Sequence, residues 1–220
     1  LLVIDKPAGM TSHDVVSAVR RLLRMKRVGH GGTLDPLATG VLVVLVGAAT
    51  RLSQFVVGHD KRYDAVIRLG ISTTTYDAEG AITVRREITV DENEIRHALS
   101  HFEGKIAQVP PMYAAIKVEG RKLYDVARKG LEIDREPRAV TVHCLQLVDW
   151  SLPNLRLDIT CSAGTYIRSL AHDLGESLGC GAHVSSLRRL RSGPFSIDDS
   201  CSLDRLREQV EGGAVSDVLL

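Results

Sequence analysis

Aromatic residues supply only 4% of this 220-residue chain, and cysteine occupies four positions. Cys144, Cys161, Cys180 and Cys201 stand 17, 19 and 21 residues apart with no C-x-x-C pair, so neither a zinc site nor a redox motif is signalled. They read as reduced, small apolar residues of the interior. No run reaches the roughly 18 apolar residues that a membrane span needs, and the apolar opening Leu1-Leu2-Val3-Ile4 stops at Asp5-Lys6-Pro7. A cytoplasmic location and no membrane partner are the expectation. There is no G-x-x-x-x-G-K-[ST], and Gly29-x-Gly31-Gly32 does not fit G-x-G-x-x-G, which leaves nucleoside triphosphate and dinucleotide cofactors unsupported. His97 and His101 are spaced i, i+4 without the Glu of H-E-x-x-H and read as a surface pair, not metal ligands. No Ser/His/Asp or Cys/His signature stands out. The expectation is a chain that uses neither metal nor cofactor.

Strong net charge is also missing. A balance of +1 argues against a surface coated uniformly for nucleic acid. The distribution is uneven, however: residues 1–62 carry nine Lys/Arg against four Asp/Glu, and residues 198–220 carry two against six. A one-sided polyanion-binding face produces such asymmetry, and so do solvated helix faces.

What is present is enough apolar residue, 44%, to bury a sizeable core as one large domain or two small ones. The pattern predicts a strand at the start, a turn at Lys6-Pro7-Ala8-Gly9, and a helix capped by Thr11 or Ser12. Asp14 stands three residues after Thr11, and Val15, Val16, Val19, Leu22 and Leu23 form the inner stripe of that helix up to Met25, with Arg20, Arg21, Arg24 and Lys26 opposite. A Gly-rich loop at 29–36 leads into an apolar strand at 41–46. Further strands are predicted at 62–69, 114–118, 138–149 and 154–162. Helices are predicted at 91–103, with Ile95, Leu99 and Phe102 inward, at 121–129, and after Gly164-Thr165. Strands interrupted by inserted helices, without βαβ alternation, predict an α+β fold on a mixed, mostly antiparallel central sheet.

Asp35 draws attention within the loop Leu34-Asp35-Pro36-Leu37-Ala38-Thr39-Gly40. A carboxylate between a basic helix and a fully apolar strand sits at the edge of a rigid core, where reacting groups tend to be placed. Asp before Pro is equally a common turn residue, and spacing alone leaves both readings open. Tyr63 is open in the same way between a base-stacking platform and a core tyrosine, as are Tyr166 and Arg168 between a site and an ordinary helix start.

The segment from Gly29 to Leu42, GHGGTLDPLATGVL, resembles the active-site motif of the bacterial TruB family of pseudouridine synthases. Four further segments agree in order: Asp5-Lys6-Pro7 through Ser12; Lys61-Arg62-Tyr63 with Gly70 to Gly80; Val109 to Gly120 followed by Tyr124; and Cys161 to Gly175. The likeness runs from residue 1 to about 195. It implies isomerisation of the T-loop uridine at tRNA position 55. Asp35 would be the nucleophile, Tyr63 the platform for the uracil, and Arg168 the partner of Asp35. Tyr166 and Leu187 would line the pocket, with Asp77 also placed at the substrate. Lys6 would steady the active-site loop, and His30 would contact flipped-out nucleotides. Residues 1–220 would form the catalytic domain, with a tRNA-contacting insert at about 104–135 and without the PUA-type C-terminal domain common in the family.

These roles are chemically coherent. The reaction breaks N1–C1′ and forms C5–C1′, so it needs a nucleophile and a closed pocket but no redox agent; an ionised Asp attacks either C1′ or C6. An adjacent arginine lowers a carboxylate pKa by roughly 1–3 units. Extruding the base costs a few kcal/mol, and an aromatic platform returns roughly 1–3 kcal/mol. Arg51, Lys61, Lys117, Arg121, Lys122 and the run Arg188-Arg189-Leu190-Arg191 are candidates for RNA phosphates, and a T-arm stem-loop is the expected partner, with no obligate protein partner. A guide-RNA-dependent synthase of the dyskerin kind and an RNA-folding or RNA-binding protein in which catalysis is incidental are the alternatives.

Overall fold

A computed structural model describes residues 1–114, 117–118, 121–122 and 133–214. The chain divides into two compact units, Leu1–Asp64 with Leu187–Leu220, and Ala65–Ser186.

The first unit is built around β3 (Thr39–Val46), whose residues 41–45 are all fully buried. A strand covered on both faces is apolar throughout instead of alternating, which is the pattern of Val41-Leu42-Val43-Val44-Leu45. β1 (Leu2–Lys6) lies antiparallel along it, Leu2 opposite Val44 and Lys6 opposite Gly40. β2 (Val28–His30) pairs antiparallel with the end of β3, and β12 (Ala182–Ser192) pairs parallel with its start, Arg188 opposite Thr39 and Arg189 opposite Gly40. Val3, Val41, Val43, Leu45 and Val56 form one apolar cluster, each side chain contributing about 1.5–3 kcal/mol by leaving water. Helix α1 (Ser12–Leu22) begins with the capping box expected from Thr11 and Asp14 and buries Val15, Val16 and Val19. It touches β2 and helix α5 (Leu203–Glu211). A 3-10 turn (Gly47–Leu52) and helix α2 (Ser53–Val57) follow β3.

The second unit has a long hairpin of β10 (Arg138–Ser151) and β11 (Asn154–Cys161), with β7 (Gly104–Gln108) antiparallel on the other edge of β10. Helix α3 (Glu92–Ser100) is capped by Asp91 and Glu94, and helix α4 (Ile167–Ser177) follows β11. β5 (Ile71–Thr73) and β6 (Ile82–Arg85) make a small hairpin, as do β8 (Lys117–Val118) and β9 (Arg121–Lys122). The chain passes from one unit to the other within β4 (Lys61–Leu69) and returns within β12. Alternation along β4 buries Lys61, Tyr63, Ala65, Ile67 and Leu69.

The α+β class and the predominance of antiparallel pairing are as expected. The predicted helix 91–103 ends at Ser100 because Gly104 opens β7, and Phe102 is only half-buried. The helix expected at 121–129 is corrected at its start, where Arg121 and Lys122 pair as a strand with Val118 and Lys117; the rest lies outside the described residues, as do most of the strand expected at 114–118 and the turn after it. None of the four cysteines is in a disulfide, but Cys144 is half-exposed and not interior. No helix among the described residues is long and apolar enough to cross a membrane.

Candidate active site

In the first unit, the loop between β2 and β3 carries Asp35, half-buried. Its backbone is gripped residue by residue. Arg189 donates from Nη2 to the Gly32 carbonyl at 3.2 Å, from Nη1 to the Thr33 carbonyl at 3.3 Å, and from Nε to the Val41 carbonyl at 2.7 Å. Ser12 Oγ accepts from the Leu34 N–H at 2.8 Å and donates to the Leu34 carbonyl at 3.1 Å. Lys6 Nζ donates to the carbonyls of Pro7, Met10 and Pro36 at 2.8, 2.6 and 3.2 Å. The Gly9 N–H also reaches the Pro36 carbonyl at 2.9 Å, and the Ala38 N–H closes a turn on the Asp35 carbonyl at 3.1 Å. Lys6 and Arg189 are 0% and 1% exposed. A buried cation is tolerable only when its donors are satisfied, and three carbonyls match the three donors of an ammonium.

Gly40 is required where it stands. Its φ is +96°, and a β-carbon there would lie 2.2 Å from the Arg189 carbonyl oxygen, so only glycine permits the parallel approach of β12. Gly31 is similarly hemmed in by the Val56 side chain.

His30, at the end of β2, is half-buried, and its Nδ1 is buried without a hydrogen-bond partner. Burial and then the positive charge of Arg189 and His13 push its pKa below the ordinary histidine value, and a backbone hydrogen bond with Gly32 opposes them. Tyr63 and Leu187 are buried on β4 and β12.

Three expected phosphate contacts are corrected or qualified. Lys61 is buried, and its ammonium donates to the carbonyls of Val57 and His59, both at 2.5 Å, where it ties α2 to the start of β4. Arg189 is committed to the loop. Arg188 forms a fork with Asp5, at 2.8 Å between Nη2 and Oδ2, and also reaches Thr39 Oγ1 at 3.3 Å, so a phosphate would have to compete for it. Arg51 and Arg191 are exposed. For Lys117, Arg121 and Lys122 only the backbone is described.

In the second unit, Arg168 stands one residue into α4 and is 4% exposed. Its Nη1 donates to the Thr75 carbonyl at 3.1 Å, its Nη2 to the Tyr113 carbonyl at 2.9 Å, and Nη1 lies 3.7 Å from Asp77 Oδ2. Asp77 is buried, and its Oδ1 accepts from Thr75 Oγ1 and from the Glu79 N–H. Asp77, expected at the substrate, thus lies beside the Arg168 guanidinium. Tyr76 precedes it with a left-handed φ of 62° and stacks on the His172 ring, centroids 3.9 Å apart. The Val184 N–H donates to the Tyr76 carbonyl and the Ala78 N–H to the Val184 carbonyl, pinning the turn. Such a backbone costs about 1–3 kcal/mol and persists only where its surroundings impose it. Tyr166 caps α4: the Gln108 side-chain oxygen accepts its N–H at 2.7 Å and the Gln108 amide donates to its carbonyl at 3.0 Å.

Ser12, Gln108 and Tyr76 were not singled out as site residues. Ser12 read as a cap, and nothing distinguishes a buried Gln at a strand end. Tyr76 lies inside a motif that was read for its Asp. Among the described residues no group of three His, Cys, Asp or Glu is arranged to hold a metal ion; His97 and His101 meet ring edge to face.

Residues 20–167 match the model of the TruB family pseudouridylate synthase N-terminal domain, and residues 168–219 match that of the tRNA pseudouridylate synthase B C-terminal domain. The chain is 48% identical over 206 residues to tRNA pseudouridine synthase B of Burkholderia pseudomallei (strain 668), covering 94% of this chain and 68% of that protein. It is 48% identical over 214 residues to tRNA pseudouridine synthase B of Pseudomonas aeruginosa (strain UCBPP-PA14), covering 97% and 70%. Among solved structures it resembles a chain of a Cbf5-Nop10-Gar1 complex, with TM-score 0.76, 34% identity, and coverage of 96% of this chain and 56% of that one. A chain of an H/ACA RNP bound to a substrate RNA containing 2'-deoxyuridine gives TM-score 0.74 at 31% identity, covering 99% and 57%. The chain thus spans little more than half of these structural relatives.

Proposed function

We infer the activity from kinship, for this chain belongs to the TruB family of pseudouridylate synthases: it isomerises a uridine in the T-loop of tRNA, at position 55, to pseudouridine. The observation that carries the reading is the gripped loop. Four residues around Asp35 have their backbone held by buried side chains, while Asp35 itself is half-exposed. A reacting carboxylate needs this arrangement, since a small misplacement of a reacting group costs large factors in rate.

In this proposal the uridine leaves its stack and the ionised Asp35 attacks C1′ or C6. The N1–C1′ bond breaks, the uracil turns, C5 bonds to C1′, the bond between the Asp35 oxygen and carbon breaks to restore the carboxylate, and the proton on C5 is lost while N1 takes one up. Tyr63 stacks on the uracil, Tyr166 and Leu187 close the pocket, and His30, held neutral, packs among the displaced nucleotides without adding charge. Arg168, with Asp77 as its anchor, answers the charge of Asp35 during the reaction. Both units serve one catalytic domain, residues 104–135 form an insert that meets tRNA, and the work is done in the cytoplasm. Arg51 and Arg191 serve the phosphates.

Incubation of the chain with unmodified tRNA, followed by pseudouridine mapping, tests the reading. Wild type is expected to convert the T-loop uridine, and Asp35→Asn to convert none while retaining tRNA binding. Conversion by Asp35→Asn would sink it. The likeness to Cbf5 raises a guide-dependent alternative, which the higher identity to the tRNA synthases opposes; a bare T-arm stem-loop as substrate separates the two.

A further inference from the structure

We propose that Arg189 is a positioning residue for Asp35, acting as a buried clasp across the two ends of the reacting loop. The inference rests on the function proposed above. By sequence Arg189 belongs to a basic run and reads as a phosphate contact. In the structure it is 1% exposed, and all three of its nitrogens are spent on backbone carbonyls.

The placement of those carbonyls gives the clasp its meaning. Gly32 and Thr33 precede Asp35, and Val41 follows it, so one planar group ties the start of the loop to the strand into which the loop feeds. A guanidinium offers five donors in a rigid fork; an ammonium is a single point and reaches fewer carbonyls spread in this way. Strand β12 carries the arginine to this position by its parallel pairing, Arg188 opposite Thr39 and Arg189 opposite Gly40. Gly40, by lacking a β-carbon, lets the two backbones meet. With Ser12 holding Leu34 and Lys6 holding Pro36, Arg189 completes a set of three side chains that fix the loop without touching substrate. It acts through Asp35, so its loss should appear in the chemical step and not in affinity.

The test uses the full chain, an unmodified tRNA transcript, and the variants Arg189→Met and Arg189→Lys beside wild type and Asp35→Asn. Single-turnover rates are measured with enzyme in saturating excess over tRNA, well below each melting temperature, and Kd is measured against salt. For Arg189→Met the expected result is a rate at least about 100-fold below wild type, the scale of a displacement of about 1 Å. Kd and its salt dependence should stay unchanged, and Arg189→Lys should recover part of the rate. A lowered melting temperature with a wild-type rate would make the residue merely structural and overturn the inference. So would a wild-type rate with weaker binding and a log–log salt slope shallower by about 0.7–0.9, the signature of a lost phosphate contact. Should Arg189→Met fail to fold, Arg189→Lys decides: a rate at least about tenfold lower at unchanged Kd supports the clasp, and a wild-type rate refutes it. Absence of pseudouridine with wild type, or its presence with Asp35→Asn, would instead refute the function on which the inference rests.

Discussion

Two regions, one in each unit, hold charged candidate residues by opposite means. Around Asp35 the backbone is held: Ser12, Lys6 and Arg189 bind main-chain atoms of residues 32–36, and the side chain at issue is half in solvent. Around Arg168 the side chain itself is held, by the carbonyls of Thr75 and Tyr113 and by the carboxylate of Asp77. In the proposed mechanism Asp35 is the nucleophile and must keep its reacting atoms accessible, so its precision has to come from the chain behind it. The guanidinium proposed to supply a field needs only a fixed orientation, and its own donors can be spent on fixing it.

The contrast breaks most readily at Lys6. Replacing it by Met leaves the carbonyls of Pro7, Met10 and Pro36 short of a buried donor, and hydrogen bonds to a charged group are worth about 1.5–3 kcal/mol each, partly offset by no longer burying a cation. Lys6→Met is expected to lose about 3 kcal/mol of stability in urea unfolding. Pseudouridine formation should be slow even at temperatures where the variant is folded. A variant as stable as wild type would mean that the loop is held by its turns alone.

At Arg168 the corresponding change is Asp77→Asn, which keeps the shape and removes the charge. The 3.7 Å gap to Nη1 makes this an electrostatic loss more than a hydrogen-bonding one, and Thr75 and Tyr113 still hold the guanidinium. A smaller loss is expected, about 2 kcal/mol. The chemical step should slow more than tRNA binding weakens. If stability were unchanged, Asp77 would be no anchor for Arg168, and the two regions would differ less than their geometry implies.

The first region was far more legible in the sequence than the second. Thr11 and Asp14 cap α1 as a local signal, the apolar run of β3 needs no context, and three glycines and a proline in eight residues mark the loop. Each of these is decided within a few neighbours. The clasp was not legible, because Arg189 meets its acceptors some 150 residues upstream in the chain, and a run of arginines reads as surface until a strand pairing buries it. Lys61 misled for the same reason, its carbonyl acceptors being invisible to any pattern of side chains. In the second region the TruB-like motif drew attention to Asp77 and Arg168, but their mutual contact depends on the left-handed turn at Tyr76, a conformation no residue-type preference announces.

The two regions also part in their response to acid, and this is the smallest of the expected effects. His30 in the loop has its pKa lowered by burial, then by Arg189 and His13, whereas Asp173 on α4 has its carboxyl pKa raised by burial, with His172 opposing. Below the ordinary histidine value of 6.5 the unfolded chain takes up a proton at residue 30 that the folded chain declines until its own lower pKa, so over that window stability falls as pH falls. Asp173 works the other way: between the ordinary aspartate value of 3.8 and its raised folded pKa the folded chain binds the extra proton, so acidification favours folding there. Urea unfolding followed from pH 7 downward should therefore show a loss beginning near pH 6.5 that is reduced in His30→Gln, and at lower pH a steeper loss in Asp173→Asn than in wild type. The His30 arm also bears on chemistry, since a histidine whose pKa is pushed down takes up its proton only at lower pH. An acid limb of the rate profile that His30→Gln abolishes would belong to His30, and one that it leaves in place would belong to another group.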